Sequence, residues 1–299
     1  MLTVVRLKGG LGNQLFQYAA GRAIAVRNGS GLKLDITGYG DQAGLATPRT
    51  FALAPFVIQA GFANRDEIGG FIGKVSGWKG LVGRLWRKLR RKDTGVLEKV
   101  VSESGFGFDP EILGKRGDLY LDGFWQSEKY FSDIAETIRR EFTLKKEGEL
   151  LNTEIARRIG GKSGSVSLHV RRGDYVTDPN TNAYHGTCSP EYYGEAIGLI
   201  AEKVSNPHFF VFSDDIEWVK ANIGIDYPVT YVSGEGRPDY EELRLMSYCR
   251  HNIIANSSFS WWGAWLNPNP DKIVIAPKRW FSGASQDTGD LIPESWIRI

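Results

Sequence analysis

Cysteine is scarce: the 299 residues hold two, Cys188 and Cys249, far apart in sequence. They make neither a metal-ligand spacing nor a disulfide framework, which suits a reducing compartment. An excess of one charge is also missing. The formal net charge is only +2, which argues against a generally basic nucleic-acid-binding surface. No run is long and apolar enough for a transmembrane helix. Residues 1–7 enter strand-like sequence without the apolar core of a signal peptide, so the expected address is cytoplasmic. Several catalytic signatures are absent as well. After Gly10 and Gly12 the third glycine position of a dinucleotide-binding loop holds Leu15, and no Gly-Lys-Ser/Thr follows to make a phosphate loop. There is no HExxH zinc motif, no Ser-His-Asp set and no internal repeat.

What is present is an α/β pattern. With 41% hydrophobic residues the chain can bury a large core, and its length suits two domains, expected at 1–150 and 151–299. Residues 3–7 read as a strand, followed by the glycine loop Lys8-Gly9-Gly10-Leu11-Gly12-Asn13-Gln14. A helix then runs to about Asn28, with Leu15, Phe16, Ala19, Ala20, Ala23 and Ile24 on one broad apolar face, and a second strand covers 32–35. A strand, a glycine turn and a helix present backbone N–H groups to an anion or a sugar; a tight turn without ligand is the plainer alternative. Strand-like 118–122 leads into Gly123-Phe124-Trp125-Gln126-Ser127, where Ser127 is placed to cap a helix over 128–140. Trp125 beside Gln126 suits a sugar by stacking and hydrogen bonding, but from the residues alone Trp125 suits the core better. Residues 84–92 hold six basic side chains in nine. Leu81, Leu85, Trp86 and Leu89 fall at helical spacing there, as expected of a basic amphipathic helix that is either solvated or laid on an anionic membrane.

From about 151 the alternation is regular. Strands are expected at 165–171, 208–212, 228–232, 252–255 and 272–276, with helices at 190–204, 215–223, 239–249 and 258–266, a parallel sheet covered on both faces. Polar residues cluster where these strands end. In residues 165–176, Val166, Leu168 and Val170 alternate with Ser165, Ser167 and His169, as in a half-buried strand. Arg171, Arg172 and Asp174 follow at its carboxyl end, where open parallel sheets bind ligands. Two arginines with a carboxylate to orient one of them suit phosphate oxygens; an interdomain salt bridge is the alternative. Asn256, Ser257, Ser258 and Phe259 stand where a helix starts, offering hydroxyls and N–H groups to an anion or simply an N-cap. Asp214-Asp215 invites Mg²⁺ beside phosphates, but a helix cap is the preferred role, since two arginines already supply positive charge.

The stretch His169-Val170-Arg171-Arg172-Gly173-Asp174-Tyr175-Val176 resembles the HxRRxD motif of α-1,2- and α-1,6-fucosyltransferases. The glycine loop with its helix start, residues 123–131, 184–193 and 256–266, is similar to bacterial α-1,2-fucosyltransferases, glycosyltransferase family 11. The matches run in family order from residue 1 to about 281; residues 71–92 match nothing. The resemblance implies a GT-B fold, two Rossmann-like domains facing across a cleft, with GDP-fucose held mainly by the second. It implies inverting, metal-independent transfer of L-fucose to the 2-hydroxyl of a terminal galactose, with no cofactor. On this reading Arg171, Arg172 and Asp174 are catalytic, Arg171 holding the β-phosphate. The donor is bound by Gly10, Gly12, Asn13, His169, Arg171, Arg172, Glu242, Asn256, Ser257, Ser258 and Phe259, with Glu242 where a relative has an acid against guanine. The acceptor side is Gln14, Trp125, Gln126 and His185. From the residues themselves Asp174 and His185 are the two candidates for a general base, orientation of an arginine being the alternative role of Asp174, and the base stays unassigned. A transferase of another linkage or donor, and an inactive glycan-binding module, are the competing readings.

Overall fold

The computed structural model describes residues 1–40, 48–72, 99–103, 105–234, 236–283 and 287–299; the basic stretch 84–92 lies outside them. Among the described residues two parallel sheets are built in succession. The first has the order β3-β2-β1-β5-β4, from β1 (Leu2–Arg6), β2 (Gly31–Asp35), β3 (Gly61–Phe62), β4 (Val100–Ser102) and β5 (Leu119–Asp122). Between β1 and β2 runs α1 (Leu11–Asn28), ended by Gly29 in the left-handed conformation. The expected single apolar face of α1 is instead buried nearly all round, because it is sandwiched between its own sheet and the second half of the chain. The site for a Cβ on Gly21 lies 2.1 Å from a Val5 methyl, so only glycine lets the helix sit this close to β1.

The second half begins with β6 (Ser165–Val170), α2 (Gly173–Thr177), α3 (Pro179–His185), α4 (Pro190–Lys203), β7 (His208–Ser213) and α5 (Ile216–Asn222). It continues through β8 (Val229–Tyr231), α6 (Asp239–Tyr248), β9 (His251–Ile253), α7 (Ser258–Trp265), β10 (Val274–Ala276) and β11 (Ile297–Arg298). Its sheet order, β11-β10-β9-β6-β7-β8, reverses between β6 and β9, the topological switch point of a doubly wound sheet. In the first sheet the reversal lies between β1 and β5.

Two expectations need correction. β6 is buried along all six residues rather than half-buried. It is a central strand paired with β7 and β9, and its serines are satisfied internally: Asn252 Nδ2 donates to Ser167 Oγ at 2.7 Å. The helix expected over 128–140 is broken into 3-10 turns Glu128–Tyr130 and Ser132–Ile134 before Ala135–Glu141. Phe131, at φ −137° and ψ 12°, leaves helical geometry so that its ring can stack on Trp262, 5.4 Å between centroids. Packing outweighs propensity there. The connection between the halves, near the expected 150/151 boundary, includes the helix Glu147–Leu151. Arg244 Nε on α6 donates to Glu147 Oε1 at 3.0 Å, fastening that connecting turn to the second half.

One hydrophobic cluster is shared by the two halves. Val5, Leu15 and Phe16 belong to the same buried cluster as Trp261, Trp262 and Trp265. No helix of the described residues is long and apolar enough to cross a membrane.

Candidate active site

The carboxyl ends of both sheets meet at one cleft of about 760 Å³, lined from both halves. Asn13 is where their switch points touch. Its Oδ1 accepts from Gln126 Nε2 (2.8 Å), which follows β5, and from Ser258 Oγ (2.9 Å), which opens α7. The approach is tight: a Cβ on Gly12 would lie 2.5 Å from the Phe259 nitrogen, so a glycine is required there by interdomain packing. Gly10 and Gly12 line the cleft, but Gly12 also serves to let α7 approach.

Arg171 faces this cleft between two carboxylates. Nη2 meets Asp174 Oδ1 at 2.5 Å and Nη1 meets Asp214 Oδ2 at 2.8 Å. Burial works against its charge, yet Asp214 and Asp174 outweigh that and hold its pKa above the ordinary value. Gly173 makes the clamp possible, because a Cβ there would sit 2.5 Å from Asp214 Oδ2. Asp214 therefore orients Arg171, while Asp215 alone takes the capping role, accepting from Trp218 N at 3.2 Å. The second oxygen of Asp174 accepts from Arg49 Nη2 at 2.6 Å. The salt-bridge alternative is thus realised too, within the same cleft wall.

Arg172 corrects the expected arginine pair. It turns away from the cleft: Nε donates to Asp215 Oδ2 at 3.1 Å and the guanidinium lies 3.7 Å over the Trp218 ring. Consecutive residues leaving a strand point to opposite sides, so an adjacent pair cannot share one phosphate unless the backbone turns. Arg49, from the first half, stands in the cleft instead. No motif marks it in the sequence.

His169, 4% exposed, lies beneath Phe259 with 5.6 Å between ring centroids. Burial, then Arg171, push its pKa down to about 3, so it is neutral. Glu242, on α6, lines the cleft beside Ser233, which follows β8. It accepts from Ser233 Oγ at 2.8 Å, and burial pushes its pKa up to about 7. Ser257 spends its hydroxyl as the N-cap of α7, accepting from Phe259 N at 3.3 Å.

Three further assignments are corrected. Asn256 is buried and donates to the carbonyls of His185, Gly186 and Trp280 (3.0–3.2 Å); it braces the end of α3 rather than facing a donor. Gln14 is fully buried, donating to Gly9 O and Thr50 O and accepting from Ala52 N, so it pins residues 50–52 to α1 and cannot meet an acceptor. Trp125 is fully buried in the core, edge-on to Tyr130 at 5.5 Å. Its φ of 57° turns it inward and leaves Phe124 to line the cleft, with Lys8 4.6 Å above that ring. Gln126 remains in the cleft wall but gives its amide to Asn13.

His185 does face the cleft, in an aromatic group that sequence alone did not assemble. It stacks on Tyr175 (4.7 Å, 9°), with Tyr184 and Phe281 at 4.8 and 5.6 Å, and Phe106 packs on Phe281 from the first half. Burial lowers the His185 pKa, and its Nδ1 has no hydrogen-bond partner among the described residues. The cleft thus gathers a polar group at Ser233 and Glu242, a charged group at Arg171, Asp174, Asp214 and Arg49, and an aromatic group around His185.

A family model described as Glycosyl transferase family 11 matches residues 104–299. Over its whole length the chain is 35% identical to an α-1,2-colitosyltransferase of Escherichia coli, covering 100% of this chain and 99% of that one. It is 31% identical to the O-antigen biosynthesis glycosyltransferase WbnK of Escherichia coli, covering 98% and 99%. Among solved structures, an Arabidopsis thaliana FUT1 mutant in complex with GDP overlaps with a TM-score of 0.51 at 12% identity, over 91% of this chain and 69% of that one. That likeness is one of fold, and the architecture is GT-B.

Proposed function

The chain belongs to glycosyl transferase family 11, and from that premise we propose that it transfers L-fucose from GDP-β-L-fucose to the 2-hydroxyl of a terminal galactose, inverting the anomeric carbon without a metal. The observation that carries the reading is Arg171, fixed between Asp174 and Asp214 at the switch point of the second sheet and facing a cleft shared by both halves. Departure of GDP builds negative charge on the β-phosphate. A donor held in place beforehand stabilises that charge without reorganising. Ser257, Ser258 and Phe259, at the start of α7, line the same cleft, and a helix N-terminus favours an anion. Glu242 suits the N–H edge of guanine, which would draw its carboxyl back toward the charged form.

A second reading has support in the likeness to a colitosyltransferase: the donor sugar is colitose, L-fucose without its 3-hydroxyl. Incubation with GDP-fucose or GDP-colitose and a panel of lactose, lacto-N-biose and N-acetyllactosamine tests both, with linkage analysis of the product. Fucose on O2 of galactose is expected. Transfer of colitose alone would install the second reading, and failure to bind any guanine nucleotide would overturn both.

Asp174 has both oxygens committed to arginines, so the acceptor proton goes to His185, one stacked ring away from Arg171. Because its pKa is lowered, the imidazole stays a free base below the ordinary value of about 6.5. The acid limb of kcat/KM is therefore expected below that value, with activity lost as pH falls through the lowered pKa. An unchanged acid limb in His185→Gln would remove His185 from this role.

Activity is expected to survive EDTA. Asp214 is occupied by Arg171 and by the Arg172 N–H, and Asp215 by Arg172 and the α5 cap. Complete loss on chelation, restored by Mg²⁺ or Mn²⁺, would return this acid pair to the donor site.

A further inference from the structure

We infer that Arg49 is the second phosphate-binding arginine of the donor site, supplied across the cleft by the first half of the chain; the inference rests on the guanine-nucleotide reading above. Arg171 alone is a poor host for a diphosphate, since one positive charge lies between two negative ones, Asp174 and Asp214. The neighbouring Arg172 does not redress this, being paired with Asp215 and stacked on Trp218. Arg49 does. Its Nη2 holds Asp174 Oδ2 at 2.6 Å while Arg171 holds Oδ1, so one carboxylate bridges two guanidiniums that both line the cleft.

The position of Arg49 is built. Gln14 on α1 donates to Thr50 O at 2.8 Å and accepts from Ala52 N at 2.8 Å, fixing the backbone that follows. The guanidinium lies over the glycine loop, its Nη1 3.7 Å from where a Cβ on Gly10 would stand. Its side chain keeps 34% of its surface exposed. A planar fork of five N–H donors can serve a carboxylate and a phosphate oxygen together, which a lysine ammonium does less well. Arg49 also belongs to the half of the chain opposite the β6 loop. The diphosphate site is therefore complete only when the two halves meet, and bound donor should resist their separation.

The test is the affinity of the full-length protein for GDP and for GMP, by calorimetry, in wild type, Arg49→Gln and Arg49→Lys. A charge-assisted hydrogen bond to the β-phosphate predicts that Arg49→Gln weakens GDP binding by about ten- to a hundredfold while GMP binding changes little. Lysine should restore part of the loss. Repeating Arg49→Gln in an Asp174→Asn background separates direct contact from support of Asp174, and a persisting loss of GDP affinity is expected. Equal losses for GDP and GMP, or no loss in the Asp174→Asn background, would reduce Arg49 to a brace and overturn the inference. Wild-type protein that binds neither nucleotide would overturn the donor reading itself, and this role with it.

Discussion

Arg171→Ala is expected to lower kcat by about 10²- to 10³-fold, the usual cost of deleting one preorganised donor to developing negative charge. The loss should exceed simple deletion of a hydrogen bond, because Asp174 and Asp214 would both face the leaving diphosphate with their shared cation gone. Arg171 is part-buried between these carboxylates, so the melting temperature should fall as well, and the rates are to be compared well below it. Arg171→Lys should also be poor, since the ammonium cannot bridge two carboxylates and a phosphate from a single plane. Arg172→Ala supplies the contrast. Its side chain packs on Trp218 and binds Asp215, away from the cleft, so turnover should fall much less than for Arg171. Steady-state rates of the three variants under saturating donor decide the matter. Near-wild-type turnover in Arg171→Ala would end its proposed role, and equal losses in Arg171→Ala and Arg172→Ala would contradict the division of labour drawn from their geometry.

Trp262→Ala should destabilise the protein by about 3–5 kcal/mol, the range for emptying a large aromatic site in a core. Trp262 is fully buried. Its ring lies 4.9 Å from Phe16 on α1, 5.4 Å from Phe131 and 5.1 Å from Phe142, all from the first half, and 5.0 and 5.2 Å from Trp261 and Trp265 beside it. The indole therefore joins the halves more than it fills either one. Urea unfolding followed by two probes should show a lower midpoint, and the two halves should separate into distinct transitions as their common core is lost. Trp262→Phe, which keeps an aromatic ring, should cost less. A loss below about 1 kcal/mol for the alanine variant would mean that the interdomain aromatic cluster is not a main source of stability.

What could be read from sequence was whatever depends on local period and local chemistry. The strands β6 to β10 and the helices α4 to α7 fall within about two residues of their expected places, because each carries its own apolar run, and α4, α5 and α7 begin at a side-chain cap as well. Arg171, Asp174 and Ser258 stand at strand ends and helix starts for the same reason: the order of elements puts them there. Short β3, β4 and β11, with two or three residues each, carry no period to detect. Side-chain direction was decided only by the tertiary structure. A positive φ at Trp125 sends that ring inward, where the residues alone placed it and against the acceptor-side place that the resemblance implied, and Phe124 outward. Arg172 follows the strand's alternation away from the cleft, and the second cation on Asp174 comes instead from position 49, well over a hundred residues earlier. Asn256 and Gln14 look like ligand-binding amides, yet they are spent on backbone groups that only the folded chain brings near them. Sequence spacing specifies which edge of a sheet a residue occupies; which way it points, and what meets it from the other domain, follows from packing that no local pattern records.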